Sequence, residues 1–251
     1  IGRPLFVMNN AANTVERQMS ESFRVGALLA CVGGFLDAFT YLVHGHVFAN
    51  AQTGNIVLLG ISLAQGNLSG VVHYLFPILA FIVGIGCVEF VRKKQKFNRA
   101  LHWRQWILFL EVLILILCVQ FGQGQQDALV NTAISLLCAL QVQSFRKVHG
   151  HALATTMCTG NLRSTVEGWL TWRQTHDPNA KYRFHHTFGV VLCFLGGAAL
   201  GVLCIRRAAP EHAGTTLLIP LVLLLVVANF SSGGLLKPEL RENAENAALN
   251  L

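Results

Sequence analysis

The chain has 251 residues, of which 53% are hydrophobic and only 12% are charged, and its formal net charge is +7 at pH 7. Soluble domains carry about 25% charged residues, so this composition argues against a water-soluble enzyme and against a disordered chain. The basic residues lie in short clusters between apolar runs. That pattern is typical of a membrane protein with basic cytoplasmic loops, and it does not indicate a nucleic-acid-binding protein.

Six apolar runs are long enough to cross a bilayer, which takes about 20 residues per helix. They predict an all-α, polytopic helical membrane protein with six spans. Two further apolar segments, 53–64 and 159–172, are too short or too polar for a full span, so we expect broken or re-entrant helices there. In chain order the six runs are 23–43, 71–91, 105–122, 128–145, 184–205 and 215–230.

The two shorter segments are matching parts of an internal repeat. Each opens with the sequence Thr-Gly-Asn, each is preceded by a His-Gly-His motif, and apolar runs follow each at similar spacing. The chain therefore divides into a polar segment 1–22, a membrane repeat 23–122, a membrane repeat 128–230 and a polar tail 231–251. The first motif is Thr53, Gly54 and Asn55, and the second is Thr159, Gly160 and Asn161.

Charge predicts how the two repeats are oriented. If both Thr-Gly-Asn segments are re-entrant, every Lys and Arg except Arg206 and Arg207 falls on the side of the N-terminus. Basic loops favour the cytoplasm, whereas two full-length Thr-Gly-Asn spans would divide the charge almost evenly. Each repeat then has three spans, and this odd number inverts the second copy relative to the first. Inverted repeats with broken helices are a common build of secondary transporters.

The Thr-Gly-Asn segments predict a substrate site. Thr is a good N-cap and Gly lets a ligand approach the backbone, so we expect half-helices to begin at Thr53 and Thr159. Unpaired N–H groups at a helix start favour an anion or a carbonyl oxygen, and the asparagines add amide donors and acceptors. The alternative is a tight turn buried between helices. The candidate substrate-binding residues are Thr53, Gly54, Asn55, Thr159, Gly160 and Asn161.

Two carboxylates lie within the predicted spans. Asp37 lies deep in the first span, where an ionisable group is costly and is by default a functional candidate. We interpret it as a proton-coupling residue, with a hydrogen-bonded structural role as the alternative. At the spacing that relates the two Thr-Gly-Asn motifs, its repeat partner is Gln143, a further substrate-binding candidate. Glu111 in the third span is a second proton-coupling candidate, although it could instead extend to the interface or pair with Arg104.

Metal and cofactor chemistry gain little support from the sequence. The His-Gly-His motifs at 44–46 and 149–151 could ligate zinc or copper, but the inverted arrangement puts them on opposite faces of the membrane. The seven cysteines form no CxxC pair and resemble small buried hydrophobic residues. No Walker loop, GxGxxG, GxSxG or HExxH is present. We therefore expect no metal, no cofactor and no enzymatic activity.

A family resemblance follows from both halves of the chain. The stretches GGFLDAFTY at 33–41 and HVFANAQTGN at 46–55, with ALQVQSF at 139–145 and TTMCTGN at 155–161, resemble the YoaK-type family of bacterial inner-membrane proteins, also called domain of unknown function 1275. The resemblance covers about residues 20–230. It implies a six-span membrane protein of unknown function, in a family often regarded as permeases, and it supplies no substrate and no site residue.

The sequence thus favours a secondary transporter or channel for a small solute, with the lipid bilayer and that solute as partners. We expect a multi-pass protein of the bacterial inner membrane with both termini in the cytoplasm. Three points stay open at this stage. The chain could instead be an intramembrane enzyme, it could be a non-transporting membrane sensor or assembly factor, and it could form a homo-oligomer.

Overall fold

A computed structural model of the protein describes residues 23–94, 103–145, 147–148, 151–152 and 158–232. The predicted segment 1–22, nearly all of the predicted tail 231–251 and the side chains of the second His-Gly-His motif lie outside the described residues. Within the described part, the chain forms eight α-helices, one 3-10 segment and a single pair of two-residue strands. The predicted all-α class is therefore confirmed apart from this short hairpin.

Every predicted apolar run and both Thr-Gly-Asn segments fall on helices. The six runs correspond to α1, α3, α4, α5, α7 and α8, and the two Thr-Gly-Asn segments correspond to α2 and α6. A 3-10 segment, Pro210–Leu217, leads into α8, and strands β1 (Lys147–Val148) and β2 (His151–Ala152) pair antiparallel. The helices are α1 (Phe23–Val43), α2 (Gln52–Ala64), α3 (Leu68–Lys94), α4 (Trp103–Cys118), α5 (Asp127–Ser144), α6 (Cys158–Thr175), α7 (Pro178–Ile205) and α8 (Leu218–Ser232).

Four of the described helical stretches are long and apolar enough to cross a membrane by length and composition alone. They are Phe23–Val43, Leu68–Lys93, Pro178–Ile205 and Pro210–Phe230. Helix α4 has only 16 residues, and α5 carries asparagine, serine and glutamine side chains within its 18 residues. The predicted count of six spans is therefore not confirmed by length and hydropathy. The multi-pass membrane character of the chain is confirmed, because four such helices are present.

Helix α1 lies at the centre and packs closely on α7. Gly34 of α1 lies against the backbone of Phe194, and Gly197 of α7 lies against the backbone of Cys31, so that a Cβ at either glycine would collide with a main-chain carbonyl. Small residues allow helix backbones this close approach in a membrane. Further along the same pair, Gly201 faces Ala38. Residue numbers rise together along both helices, so α1 and α7 run in the same direction.

Helix α3 packs on α5 with the same geometry. Gly84 lies against the carbonyl of Leu136 and the side chain of Ala139, and Gln143 further along α5 contacts Glu89 further along α3. These two helices also run in the same direction. Helix α2 packs on α3, α6 packs on α7, α4 packs on α5, and α8 packs on α1 and α4.

A single apolar core joins α1, α4, α5 and α8. Its fully buried side chains include large aliphatic and aromatic groups, whose close packing stabilises helix association in a membrane. The outer faces are apolar as well, as expected for surfaces that contact lipid. Core members from the four helices are Phe35, Phe39, Leu108, Leu115, Ile134, Leu137 and Leu224.

Candidate functional site

Asp37 anchors the loop that follows α1. The side chain is 6% exposed, and its Oδ1 accepts a hydrogen bond of 2.7 Å from the backbone N–H of Asn50. The backbone N–H groups of the neighbouring Ala49 and Ala51 lie near enough to favour the charged form of this carboxylate. The side-chain amide of Asn50 donates to the carbonyl of Gly33 at 3.0 Å. The loop therefore folds back into the protein to the depth of Gly33, near the middle of α1, and α2 begins at that depth.

The beginning of α6 also lies near Asp37. Cys158, the first residue of α6, is close enough to Asp37 for the two groups to interact electrostatically. The first N–H groups of a helix lack intrahelical partners and carry partial positive charge. The loop before α2 is thus bonded to this buried carboxyl group, and the first residue of α6, from the other predicted repeat, lies within electrostatic range of it.

The two threonines of the motifs do not cap their helices. Helix α2 begins at Gln52 with Ala51 as its N-cap, and no side chain caps it, while α6 begins at Cys158. Thr53 and Thr159 therefore lie inside the first turns, where both are exposed. The prediction that they start the helices is wrong because the backbone is already helical one residue earlier.

The side chain of Asn55 forms its hydrogen bonds with the loop before α2 and with the first residue of that helix. Its Oδ1 accepts from the backbone N–H of Phe48 at 3.0 Å, and its amide donates to the Phe48 carbonyl at 2.6 Å and to Gln52 Oε1 at 2.9 Å. A Cβ at Gly54 would lie 3.0 Å from the ring of Phe48, so the glycine lets this ring pack closely on the start of α2. These bonds leave Asn55 little capacity for a solute. It holds the loop in shape.

The second motif has a similar division between buried and exposed residues. Asn161 is buried and Gly160 is exposed. The carbonyl of Asn161 accepts a hydrogen bond from the hydroxyl of Thr165 at 2.8 Å, and Thr165 also bonds to the hydroxyl of Thr187 at 2.8 Å. The first turns of α6 are thereby attached to α7.

Gln143 lies on the side of α5 that faces α3. Its amide donates to the carboxylate of Glu89, and Arg92 Nη2 donates to the same carboxylate at 2.6 Å. Gln143 is therefore bound to Glu89 and not to Asp37. The pairing of Glu89 with Arg92 at the end of α3 is the arrangement expected of a charged group near a membrane interface.

Glu111 is fully buried in α4. Neither of its carboxyl oxygens has a hydrogen-bond partner among the described residues. The alternative that Glu111 pairs with Arg104 is wrong, because Arg104 Nε donates to the carbonyl of Ser144 at 3.1 Å. Cys138 of α5 lies within electrostatic range of both Glu111 and Asp37. Both carboxyl groups are thus close enough to α5 to act on the same buried residue.

A row of buried polar side chains winds along α5 from Asn131 to Ser144. Its members recur every three or four residues, as neighbours on a helix surface do, and none is more than 2% exposed. The side-chain oxygens of the asparagine, serines and glutamine lack partners within the described structure. The row covers about 20 Å at 1.5 Å per residue, most of an apolar layer about 30 Å thick. It consists of Asn131, Ser135, Cys138, Gln141 and Ser144.

Sequence reasoning missed this polar row. The segment 128–145 is apolar enough on average to predict a span, and that average hides its polar residues. The signal was nevertheless present, since polar residues at three- and four-residue intervals in a membrane helix indicate an interior polar face.

His44 and Asp127 form a polar pair at the end of the row. The His44 side chain is fully buried, and its Nδ1 lies 2.7 Å from Oδ1 of Asp127, whose side chain is 32% exposed. Asn131 Nδ2 donates to the His44 carbonyl at 2.6 Å. A carboxylate only accepts hydrogen bonds, so Nδ1 carries the proton and Nε2 is the acceptor. Within the described structure Nε2 is buried without a partner.

Burial and the carboxylate act on His44 in opposite directions. Removal from water lowers the pKa of His44, while the hydrogen bond and the charge of Asp127 raise it, and burial prevails. The ring is neutral at rest. No group of three potential metal ligands occurs among the described residues, and His73 Nε2 contacts the Gly45 carbonyl at 2.8 Å instead.

Comparison with known proteins agrees with the membrane architecture. The family described as "Protein of unknown function (DUF1275)" matches residues 25–230. A relative, the "UPF0700 transmembrane protein YoaK" of Bacillus subtilis (strain 168), is 24% identical over 209 residues, which cover 79% of this chain and 88% of the relative. No solved structure matches the chain. With four candidate spans and a family match over most of its length, the chain belongs to the DUF1275 family of membrane proteins.

Proposed function

We propose that the protein is a proton-coupled secondary transporter of a small solute. The observation that carries this proposal is the partnerless carboxyl group of Glu111 beside the polar row of α5. Buried polar atoms without partners are costly, especially in a membrane. Their accumulation in one row is best explained by contact with water or solute during a transport cycle, because a purely structural core would gain stability from apolar side chains there.

An inverted repeat of three spans each underlies the proposed transport cycle. If the two repeats are exchanged, α1 takes the place of α5 and α7 takes the place of α3, so the α1–α7 pair becomes the α5–α3 pair. In both pairs the helices run in the same direction and a glycine of one helix lies against a carbonyl of the other. The same exchange converts the α2–α3 contact into the α6–α7 contact. This correspondence supports a two-fold axis in the membrane plane. Rocking of the repeats around a central site is the usual mechanism of such transporters.

Asp37 is the proposed coupling group. As a carboxylate it accepts hydrogen bonds from the loop before α2, and charge-assisted bonds of this kind are about twice as strong as neutral ones. A proton on Asp37 weakens these bonds and frees the start of α2 to move. Solute binding and protonation would then be linked through the same loop.

The orientation of the protein is part of the proposal. Nearly all basic residues fall on the side of the N-terminus when both Thr-Gly-Asn segments are re-entrant. That distribution supports cytoplasmic termini in a bacterial inner membrane.

A flux screen tests the function. The full chain is reconstituted into liposomes that contain the pH dye pyranine, and an inward proton gradient is imposed with pools of amino acids, sugars, nucleosides or organic acids outside. We expect at least one pool to accelerate internal acidification relative to protein-free liposomes. Glu111→Gln, which keeps the shape but not the acid, is expected to abolish this acceleration. Absence of any pool-dependent acidification with the wild-type protein would reject the transporter proposal.

A further inference from the structure

The pair His44–Asp127 has the geometry of a proton-transfer site. Asp127 is partly exposed at the end of the bundle, His44 is buried behind it, and His44 Nε2 faces away from the carboxylate without a partner in the described structure. Imidazole can accept a proton on one nitrogen and release one from the other, which is why histidine serves as a proton shuttle. The pair therefore joins a solvent-facing carboxylate to the protein interior.

His44, the buried member of the pair, lies next to Asn131, the first residue of the polar row on α5. Asn131, which donates to the His44 carbonyl, is followed one helical turn later by Ser135, whose hydroxyl is buried and partnerless among the described residues. Cys138 comes next and lies within electrostatic range of Glu111 and Asp37. Buried polar side chains thus follow one another along α5 from the pair toward the level of the two carboxyl groups, and where partners are lacking we expect water to bridge them.

We propose that His44 and Asp127 are the proton entry site of the protein, through which protons pass between solvent and the interior carboxyl groups Glu111 and Asp37. This inference rests on the proposed transport function, because it assigns the route by which the coupling proton arrives. In the sequence, His44 stands out only as a possible metal ligand in its His-Gly-His motif, and Asp127 does not stand out at all. His44 directly follows α1 and Asp127 begins α5, and the packing of the bundle brings Nδ1 of one to within 2.7 Å of Oδ1 of the other although they are 83 positions apart in the chain.

Each transfer conserves protons and charge. A proton taken up at Nε2 from the interior converts the ring to imidazolium, whose charge the Asp127 carboxylate balances. The Nδ1–H bond then breaks as an O–H bond forms on Asp127, and that proton leaves to solvent. Outward transfer leaves the ring with its proton on Nε2, and inward transfer starts from that tautomer: a proton passes from solvent to Asp127 and on to Nδ1, and the Nε2–H bond breaks as its proton passes to the interior. This restores the Nδ1–H form, so each further inward transfer requires the ring to return to the Nε2–H form by rotation or tautomer exchange. The neutral resting state of His44 leaves one nitrogen free to accept.

The environment of His44 contains few competing groups. The ring of Phe39 packs edge-on at 5.2 Å between centroids, and α5 contributes Asp127 and Asn131 as the polar neighbours. His46 contacts Tyr41 instead, at 4.7 Å between ring centroids. Other titratable or charged groups near this end of the described helices include Tyr41, His46, His73, Tyr74, Arg206, Arg207, Glu211 and His212.

Hydrogen–deuterium exchange of the Glu111 carboxyl group tests the inference without a solute. The full chain in lipid nanodiscs is transferred from H₂O to D₂O, and infrared spectroscopy follows the carboxyl stretch that is lost in Glu111→Gln. His44→Gln keeps a hydrogen bond to Asp127 but cannot shuttle a proton, and Asp127→Asn removes the solvent-facing acid. We expect either variant to slow exchange by about 100-fold, the lower range for a positioned proton-transfer group.

His73→Gln is the matched control, since this neighbouring histidine is not part of the proposed route and glutamine preserves a donor toward Gly45. It should exchange at the wild-type rate, and all variants should share the wild-type melting temperature within a few degrees. Unchanged exchange in His44→Gln would overturn the inference. A wild-type spectrum without a Glu111 carboxyl band would also overturn it. Slow exchange in the variants, combined with a flux screen in which no pool is active, would instead leave the entry site standing and reject the transporter.

Discussion

Asp37 and Glu111 are both buried carboxyl groups, but their surroundings assign them different roles. Asp37 accepts hydrogen bonds from the loop before α2 and holds the start of that helix. Glu111 has no hydrogen-bond partner within the described structure. The sequence identified both residues from their depth in apolar runs. It could not distinguish them, because the partner of Asp37 comes from a loop whose return into the protein depends on tertiary contacts.

Replacement of Glu111 by an apolar residue should raise the stability of the protein while it abolishes transport. Glu111→Leu fills the same space with apolar atoms and removes two buried partnerless oxygens, so we expect it to raise the free energy of unfolding by about 1–3 kcal/mol. It should also abolish pool-dependent flux in the liposome assay. Thermal unfolding of the purified protein in detergent measures the first effect. A clear loss of stability would show that Glu111 has a structural partner and would remove it from the proposed pathway.

At the scale of helices, the sequence predicted more than it missed. All six apolar runs and both Thr-Gly-Asn segments form helices, since 3.6-residue geometry and apolar length leave little alternative in a membrane. The two Thr-Gly-Asn helices begin one residue earlier than predicted, at Gln52 and Cys158, because a helix start depends on local backbone geometry such as that at Ala51. The polar row of α5 and the pair His44–Asp127 were missed, since both require knowledge of which helix faces which.

The glycines of α7 give a matched test of helix packing. Gly197 lies against the backbone of Cys31, whereas nothing lies within 4 Å of a Cβ at the adjacent Gly196. Gly197→Ala must separate α1 from α7, and overpacking of this kind costs about 1–3 kcal/mol. Gly196→Ala should be neutral or stabilising by up to about 1 kcal/mol through helix propensity. Equal melting temperatures for the two variants would contradict the close α1–α7 contact.

The same comparison in the other repeat tests whether the packing is repeated. Gly84 lies against Leu136, whereas a Cβ at Gly86 would meet nothing within 4 Å. Gly84→Ala should lower the melting temperature as Gly197→Ala does, and Gly86→Ala should not. Destabilisation confined to one repeat would mean that the two interfaces are energetically unrelated.

For the whole molecule, the proposed inverted repeat predicts which loops share a side of the membrane. Single cysteines introduced near positions 95 and 178 of a cysteine-free background should be labelled from the cytoplasmic side by a membrane-impermeant maleimide. Those near 125 and 210 should be labelled from the opposite side. Labelling of 95 and 178 from different sides would refute the re-entrant arrangement of the Thr-Gly-Asn segments, because an additional crossing would separate the two loops.

The direct test of the account is the pH dependence of solute flux in liposomes that contain wild-type protein, Asp37→Asn or Asp37→Glu. The active pool from the flux screen is supplied across a series of external pH values, with Glu89→Gln as the control for a carboxylate paired at a helix end. We predict that Asp37→Asn inserts and folds but loses pH-dependent flux, while Asp37→Glu keeps part of it with a shifted pH profile. Full flux by Asp37→Asn at every pH would contradict the coupling role and leave Asp37 as the anchor of its loop.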